Sequence, residues 1–104
     1  MACKYLENNG YKVIERNFEA RQGEIDIIAL DKNEIVFIEV KTRTNISYGK
    51  PVEAVDTNKQ KHLIKTVEYY LYYRNLENEF IRIDVIEIYL CKNKYKVNHI
   101  KQII

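Results

Sequence analysis

Two neighbouring apolar runs that carry acidic residues constrain this sequence more than any other feature. They are residues 23–28, with the sequence GEIDII, and residues 35–41, with the sequence IVFIEVK. Their β-branched and aromatic residues predict two strands. Residues 31–34 between them are turn formers, and we expect Asn33 to take the positive φ that tight hairpin turns require. The sequence therefore predicts a β-hairpin.

The register of this hairpin decides which charged side chains meet. A two-residue loop closed by Asp31 and Glu34 places Asp26 directly opposite Glu39, on the same side of the ribbon. Two carboxylates about 5 Å apart repel each other by roughly 3 kcal/mol at an effective dielectric near 20. A divalent cation between them removes this repulsion, and hard cations such as Mg²⁺ prefer carboxylate oxygens. The hairpin thus predicts a site for Mg²⁺ or Mn²⁺.

A lysine accompanies the two acids. The same register places Glu24 opposite Lys41, two residues beyond Glu39, so the Lys41 ammonium would lie beside the metal and close to a water or a phosphate oxygen. Asp26, Glu39 and Lys41 together indicate a metal-dependent phosphodiesterase. The alternative is a solvated face on which Lys41 is the salt-bridge partner of the acids.

Cationic residues follow the second strand. Residues 42–51 read as a polar loop with Arg43 and Lys50, which suits a phosphate backbone, although a plain solvated connection is the alternative. A helix is then predicted from Thr57 to about Arg74. It would bury apolar residues at helical spacing, namely Leu63, Val67, Tyr70 and Leu71. Lysines crowd its first two turns, where anions are attracted: Lys59, Lys61 and Lys65. They are equally typical of an ordinary helix surface.

The remaining elements predict an α/β fold. A short helix over residues 2–9 ends at Gly10, and a strand follows over residues 11–18. Residues 80–90 are apolar on both faces, which indicates a central, covered strand, and a short edge strand is expected at 95–97. Arg82 and Asp84 lie on one face of the covered strand and are expected to pair structurally. The order of elements predicts an α/β sandwich around a mixed sheet.

The composition sets further limits. A chain of 104 residues makes one domain, and a net charge of +2 permits nucleic-acid binding without arguing for it. Cys3 and Cys91 show no CxxC spacing, which gives no support for zinc and favours free thiols in a reducing cytoplasm. Neither a signal peptide nor a stretch of membrane-spanning length is present, so we expect a cytoplasmic protein without membrane contact.

Taken together, these motifs resemble the bacterial YraN family of predicted endonucleases, which are distantly similar to archaeal Holliday junction resolvases. The likeness is carried by residues 23–26, 37–43 and 59–60, and it extends across nearly the whole chain. The resemblance implies a restriction-endonuclease-like fold, with a central mixed β-sheet flanked by helices and a D…ExK motif. It further implies a set of site residues: Asp26 and Glu39 as metal ligands, Lys41 as the catalytic lysine, Val40 as a backbone-carbonyl ligand, and Glu24 and Gln60 in supporting roles.

The resemblance implies a metal-dependent endonuclease that hydrolyses phosphodiester bonds in DNA, with branched or single-stranded DNA as candidate substrates. Relatives usually carry an acidic residue in the first helix, and this sequence, which begins at Met1-Ala2, lacks it. A truncated first helix, a site with fewer ligands and impaired activity all remain open. The alternative function is a catalytically impaired nuclease-fold module that binds DNA or a protein partner. A homodimer would suit an enzyme that cuts two strands.

Overall fold

The structure, a computed structural model, describes residues 1–43 and 57–103. Within these ranges the elements follow in the order α1 (Ala2–Asn8), β1 (Lys12–Ala20), β2 (Gly23–Asp31), β3 (Glu34–Arg43), α2 (Thr57–Tyr73), β4 (Phe80–Cys91) and β5 (Lys94–Ile100). The strands form one sheet in the order β1-β2-β3-β4-β5. All neighbours are antiparallel except β3 and β4, which are parallel and connected through α2. The predicted α/β fold of the restriction-endonuclease-like class, with a mixed sheet and flanking helices, is confirmed.

The helices cover opposite faces of the sheet. α2 buries the four residues that its spacing predicted, and they pack with residues from four strands: Phe18, Ile25, Ile28, Ile35, Phe37 and Ile83. On the other face, α1 contributes Ala2 and Leu6 to a second cluster with Tyr11, Ile27, Ala29, Val36, Ile38, Ile86 and Ile88. Successive residues of β3 alternate between these two clusters. The packing of its apolar residues therefore determines which β3 side chains face α2.

The hairpin register is confirmed near the turn. β2 and β3 pair from Asp31 opposite Glu34 to Ile27 opposite Ile38. The positive φ, however, belongs to Lys32 (φ 56°) and not to Asn33. The first central residue of the two-residue turn therefore adopts the left-handed conformation, and the second does not.

Several strand boundaries differ from the prediction. β3 extends to Arg43, so the first two residues of the predicted loop belong to the strand, because they stay paired with β4. β1 runs over Lys12–Ala20, not 11–18, because it stays paired with β2 as far as Gly23. β5 runs over Lys94–Ile100, beyond the predicted 95–97, because its ladder with β4 continues until Ile100 faces Val85. α1 ends at Asn8 and Gly10 follows with φ 85°, so the predicted glycine stop is confirmed. No helix in residues 1–43 or 57–103 is both long and apolar enough to span a bilayer.

The pairing of Arg82 and Asp84 on β4 is confirmed. Arg82 donates from Nε and Nη2 to the two oxygens of Asp84, at 3.0 and 3.1 Å. The Asp84 carboxylate also accepts the N–H of Gln102 at 2.9 Å and lies 2.7 Å from Nε2 of His99. Burial raises the pKa of Asp84, but these hydrogen bonds from His99 and Arg82 outweigh burial and hold the pKa below its ordinary value.

Arg82 also fixes the turn of the β2–β3 hairpin. Its Nη1 donates to Asp31 at 3.0 Å and lies 3.3 Å from Glu34, the two residues that close the turn. Arg82 itself is only 9 % exposed. The cluster is therefore structural, and it ties the hairpin turn to β4.

Candidate active site

A cavity of about 150 Å³ lies between the hairpin and α2. Its lining residues come from β2, β3 and α2, and they are Gly23, Glu24, Glu39, Lys41, Lys59, His62, Leu63 and Thr66. Glu39 and Lys41 lie two residues apart on β3, so both side chains face α2. The Glu-x-Lys motif therefore faces this cavity.

Counted from the turn, the backbone ladder between β2 and β3 ends at Ile27, so Asp26 is the first residue of β2 without a backbone partner on β3. β3 continues to pair with β4 as far as Arg43, and β2 continues to pair with β1 as far as Gly23. Asp26 reaches β3 through its side chain, because its Oδ2 accepts the backbone N–H of Val40 at 2.8 Å. The Asp26 carboxylate, and not a backbone carbonyl of β2, thus accepts the Val40 N–H. Asp26 therefore lies next to the Glu-x-Lys motif although it is not paired with β3 through its backbone.

Glu39 is the most perturbed acid of the cavity. Burial, followed by the charge of Asp26 and more weakly that of Glu24, raises its pKa from 4.5 to about 7, while Lys41 and Lys59 act in the opposite direction. Two other acids and two amines therefore act on Glu39. A group that titrates near neutral pH in a cleft is typical of functional sites.

Close packing of α2 shapes the cavity wall. Gly23 has φ 151°, and a Cβ at this position would lie 3.2 Å from Oγ1 of Thr66. Thr66 is fully buried and its Oγ1 donates to the carbonyl of His62 at 2.8 Å. A glycine at residue 23 therefore allows the helix to approach the start of β2.

The other predicted residues of α2 lie in different places. Lys59 lines the cavity, whereas Lys61 is exposed on the helix. Gln60 is half-buried and is not among the lining residues. Lys50 lies outside the described residues.

Arg43, predicted to contact nucleic acid, lies beside a buried acid. Its Nη2 is 3.7 Å from Oε2 of Glu87, and one third of its side chain is exposed. Glu87 on β4 is fully buried and accepts a hydrogen bond from Asn98 at 2.9 Å. Part of the positive charge of Arg43 is therefore balanced by Glu87.

Sequence reasoning missed His62 and Thr66 as parts of the cavity wall. With Lys59 they occupy positions i, i+3 and i+7 of α2, which is one face of a helix. This spacing was visible in the sequence. What the sequence did not reveal was which strand residues that face would meet.

The donor set favours a hard cation with few protein ligands. No group of three or more His, Cys, Asp and Glu side chains within residues 1–43 and 57–103 is arranged to hold a metal ion. Asp26 and Glu39 supply two carboxylates, and Mg²⁺ is commonly bound through one or two carboxylates while keeping several waters. The pair therefore fits Mg²⁺ or Mn²⁺ better than a metal that needs a complete protein cage.

The sheet, its helices and the motif that faces the α2 side define this chain as a restriction-endonuclease-like α/β protein. The profile of the family described as "Uncharacterised protein family UPF0102" matches residues 1–88. The chain therefore belongs to this family, the YraN family that its motifs resemble.

Individual relatives agree with this assignment. The chain is 48% identical over 103 residues to UPF0102 protein TTE1452 of Caldanaerobacter subterraneus subsp. tengcongensis, covering 96% of this chain and 84% of the relative. It is 48% identical over 103 residues to a UPF0102 protein of Clostridium botulinum, covering 97% and 84%. It is 46% identical over 100 residues to UPF0102 protein CD630_12710 of Clostridioides difficile, covering 96% and 86%.

Proposed function

We propose that this protein is a metal-dependent DNA endonuclease that hydrolyses phosphodiester bonds. The observation that carries the proposal is the placement of the motif: half-buried Glu39 and Lys41 line one cavity, and Asp26 is held beside them by the Val40 N–H. The raised pKa of Glu39, to about 7 through burial and the charge of Asp26, agrees with this placement. Holding two acids together in this way opposes folding unless a cation or a proton neutralises them. A cation site explains why the arrangement exists.

Asp26 and Glu39 would hold Mg²⁺ or Mn²⁺ through their carboxylates, with the Val40 carbonyl as a further ligand. A bound divalent cation of this kind polarises a phosphate and lowers the pKa of a bound water. The hydrogen bond from the Val40 N–H orients the Asp26 carboxylate. Ligand orientation by such contacts is a general requirement of metal sites.

The lysines supply the positive charge that a phosphodiester needs. Lys41 is half-buried and would orient the attacking water or stabilise the charge that develops on the phosphate. Lys59 on the opposite wall would bind a neighbouring phosphate. Arg43 and Lys61 would contact the DNA backbone further from the cavity, where they affect affinity more than rate, and Lys50 is expected to contact the backbone as well.

Supporting roles and cellular context complete the proposal. Glu24 adds negative charge beside Glu39, and Gln60 would support the site from α2 without lining the cavity. Cys3 and Cys91 are free thiols, which agrees with action in a reducing cytoplasm. A homodimer would let two sites cut two strands.

Cleavage of labelled duplex, branched and single-stranded DNA with Mg²⁺, Mn²⁺ or EDTA tests the proposal. We expect metal-dependent cleavage that falls at least about a hundredfold in Lys41→Ala, because loss of one electrostatic stabiliser commonly has that effect. Lys101→Ala removes an exposed lysine at the end of the described chain and is the matched control. Full activity in Lys41→Ala, or cleavage that continues in EDTA, would contradict the assigned chemistry.

The second candidate function is a nuclease-fold module that binds DNA or a protein partner without turnover. It is favoured by the lack of a third metal-ligating side chain beside Asp26 and Glu39 in the described part of the chain. Salt-dependent DNA binding with no cleavage under any metal condition would support this function over the first.

A further inference from the structure

One stripe of α2 continues beyond the candidate active site. Lys59, His62 and Thr66 line the cavity, and the same face of the helix next presents Tyr69 and Tyr73. These five residues follow the spacing i, i+3, i+7, i+10 and i+14, which keeps them on one side of a helix. At 1.5 Å per residue, the tyrosines lie about 10 and 16 Å along the axis from His62.

The two tyrosines form a fixed but exposed aromatic surface. Their rings are parallel, with 6° between the planes and 6.0 Å between the centroids. Tyr69 contacts Phe18 of β1, and the Arg74 guanidinium lies 5.0 Å from the centroid of Tyr73. Glu15 binds Arg74 at 2.9 Å. Tyr69 is nevertheless 41% exposed and Tyr73 56%.

α2 carries more positive than negative charge, and the Arg74 beside Tyr73 is paired with Glu15. α2 carries three lysines and a single acid, Glu68, and Lys61 and Lys65 are both exposed. Tyr72, also on α2, is 71% exposed. Proteins bind single-stranded nucleic acids through aromatic rings, on which the bases stack, and through cationic side chains, which neutralise the phosphates. In a duplex the faces of the bases are already stacked on one another.

We propose that Tyr69 and Tyr73 stack on the bases of an unpaired DNA strand that leads out of the cavity, while Lys61 and Lys65 contact its phosphates. The proposal rests on the proposed function for the identity of the ligand. It specifies the substrate class as DNA with an unpaired segment next to the cleaved bond, such as a flap, a fork or a single strand. A second copy of the chain on the same surface is the competing occupant.

Binding measured without cleavage tests whether Tyr69 and Tyr73 stack on bases. A fluorescein-labelled 15-nucleotide oligo(dT) and a duplex of the same length are titrated in EDTA and followed by anisotropy. We expect the double variant Tyr69→Ala, Tyr73→Ala to bind the single strand at least about tenfold more weakly, because base–aromatic stacking is lost. Duplex affinity should change less than about twofold, since phosphate contacts carry it.

Two controls separate stacking from other effects. The double variant Tyr69→Phe, Tyr73→Phe keeps the rings and should retain wild-type affinity. Tyr95→Ala removes a tyrosine that is 54% exposed on β5 and should have no effect. Equal binding by wild type and the alanine variant, or an equal loss for duplex and single strand, overturns the proposal.

Cross-linking of the wild-type protein gives an answer even if the alanine variant does not fold. Irradiation with an oligonucleotide that contains 5-iododeoxyuridine should produce adducts at Tyr69 or Tyr73, identified by mass spectrometry. Adducts confined to other residues overturn the proposal. Sedimentation in which the alanine variant changes from dimer to monomer, with single-strand binding unchanged, also overturns it and assigns the surface to self-association.

The outcome is separable from that of the proposed function. Because the binding assay contains EDTA, single-strand affinity is measured in the absence of cleavage. Tyrosine-dependent binding by a protein that never cleaves DNA would refute the nuclease function and support base stacking on Tyr69 and Tyr73. Equal cleavage of every unpaired substrate by the wild type and by the tyrosine-to-alanine variant would support the nuclease function and refute base stacking on the tyrosines.

Discussion

Replacing Glu39 with glutamine should stabilise the metal-free protein at pH 8. The wild-type side chain is partly buried and lies among acids, so its pKa rises from 4.5 to about 7 through burial first and the charge of Asp26 second. The native state therefore holds this proton up to about pH 7, whereas the unfolded chain releases it near pH 4.5. Since the native state binds more protons between these values, the stability that Glu39 contributes is lost as the pH rises from 4.5 to 7.

The size of this effect follows from the pKa. A rise from 4.5 to about 7 corresponds to an upper value of roughly 3 kcal/mol. Solvent at the cavity mouth screens the charges, so we expect a net stabilisation of about 1–2 kcal/mol for Glu39→Gln at pH 8. In a chain of this size that is about 5–10 °C in Tm. At pH 4.5 most of the difference should be gone, because the wild-type acid is then protonated in the native state and half protonated in the unfolded state.

Urea unfolding in EDTA at pH 4.5 and pH 8 measures the difference. Glu79→Gln is the matched control, because Glu79 is exposed and removal of its charge should shift stability little at either pH. Adding Mg²⁺ at pH 8 should stabilise the wild type and reduce the advantage of Glu39→Gln. A variant that is no more stable than wild type at pH 8 would refute the reasoning, since the repulsion it relies on would then be absent.

Two further substitutions test the support of the site. Gly23→Ala should destabilise the protein by about 1–3 kcal/mol, measured by urea unfolding, because residue 23 has φ 151° and a Cβ there would lie 3.2 Å from Thr66 Oγ1. Gly10→Ala, at φ 85° with nothing within 4 Å, isolates the backbone term, and an equal cost for both would contradict the packing argument. Asp84→Ala should cost about 3–5 kcal/mol at pH 7, because Arg82 and His99 lose a buried partner. The lowered pKa of Asp84 means that this contribution fades in acid, so thermal denaturation at pH 7 and pH 3 should show a smaller difference at pH 3.

The sequence was sufficient for the hairpin because its information is local. Alternation of buried residues along β3 and a two-residue turn fix the pairing from Asp31 opposite Glu34 to Ile27 opposite Ile38. A shift of one residue would turn both Phe37 and Glu39 from the α2 face to the α1 face. The buried residues of α2 were predictable for the same reason, since a period of 3.6 residues marks one face.

Other features depend on contacts between distant parts of the chain and were not predictable. The ladder between β2 and β3 ends at Ile27, where the Asp26 carboxylate takes over the N–H of Val40, and no local pattern encodes this change. The cavity wall formed by His62 depends on how closely α2 approaches Gly23. Lys32 takes the positive φ although Asn33 has the higher intrinsic tolerance for it, because the turn type is selected by the strands on both sides.

The acids at the two ends of the β2–β3 hairpin lie in different surroundings. At the turn, Arg82 binds both Asp31 and Glu34, so those two acids share a buried guanidinium with Asp84. At the other end, Asp26 and Glu39 repel each other, and the backbone ladder that would hold them in a regular pair is missing. Lys41 and Lys59 offset only part of the repulsion at the open end, because the pKa of Glu39 still rises to about 7. In the proposed function, a cation shared by the two carboxylates would remove the remaining repulsion.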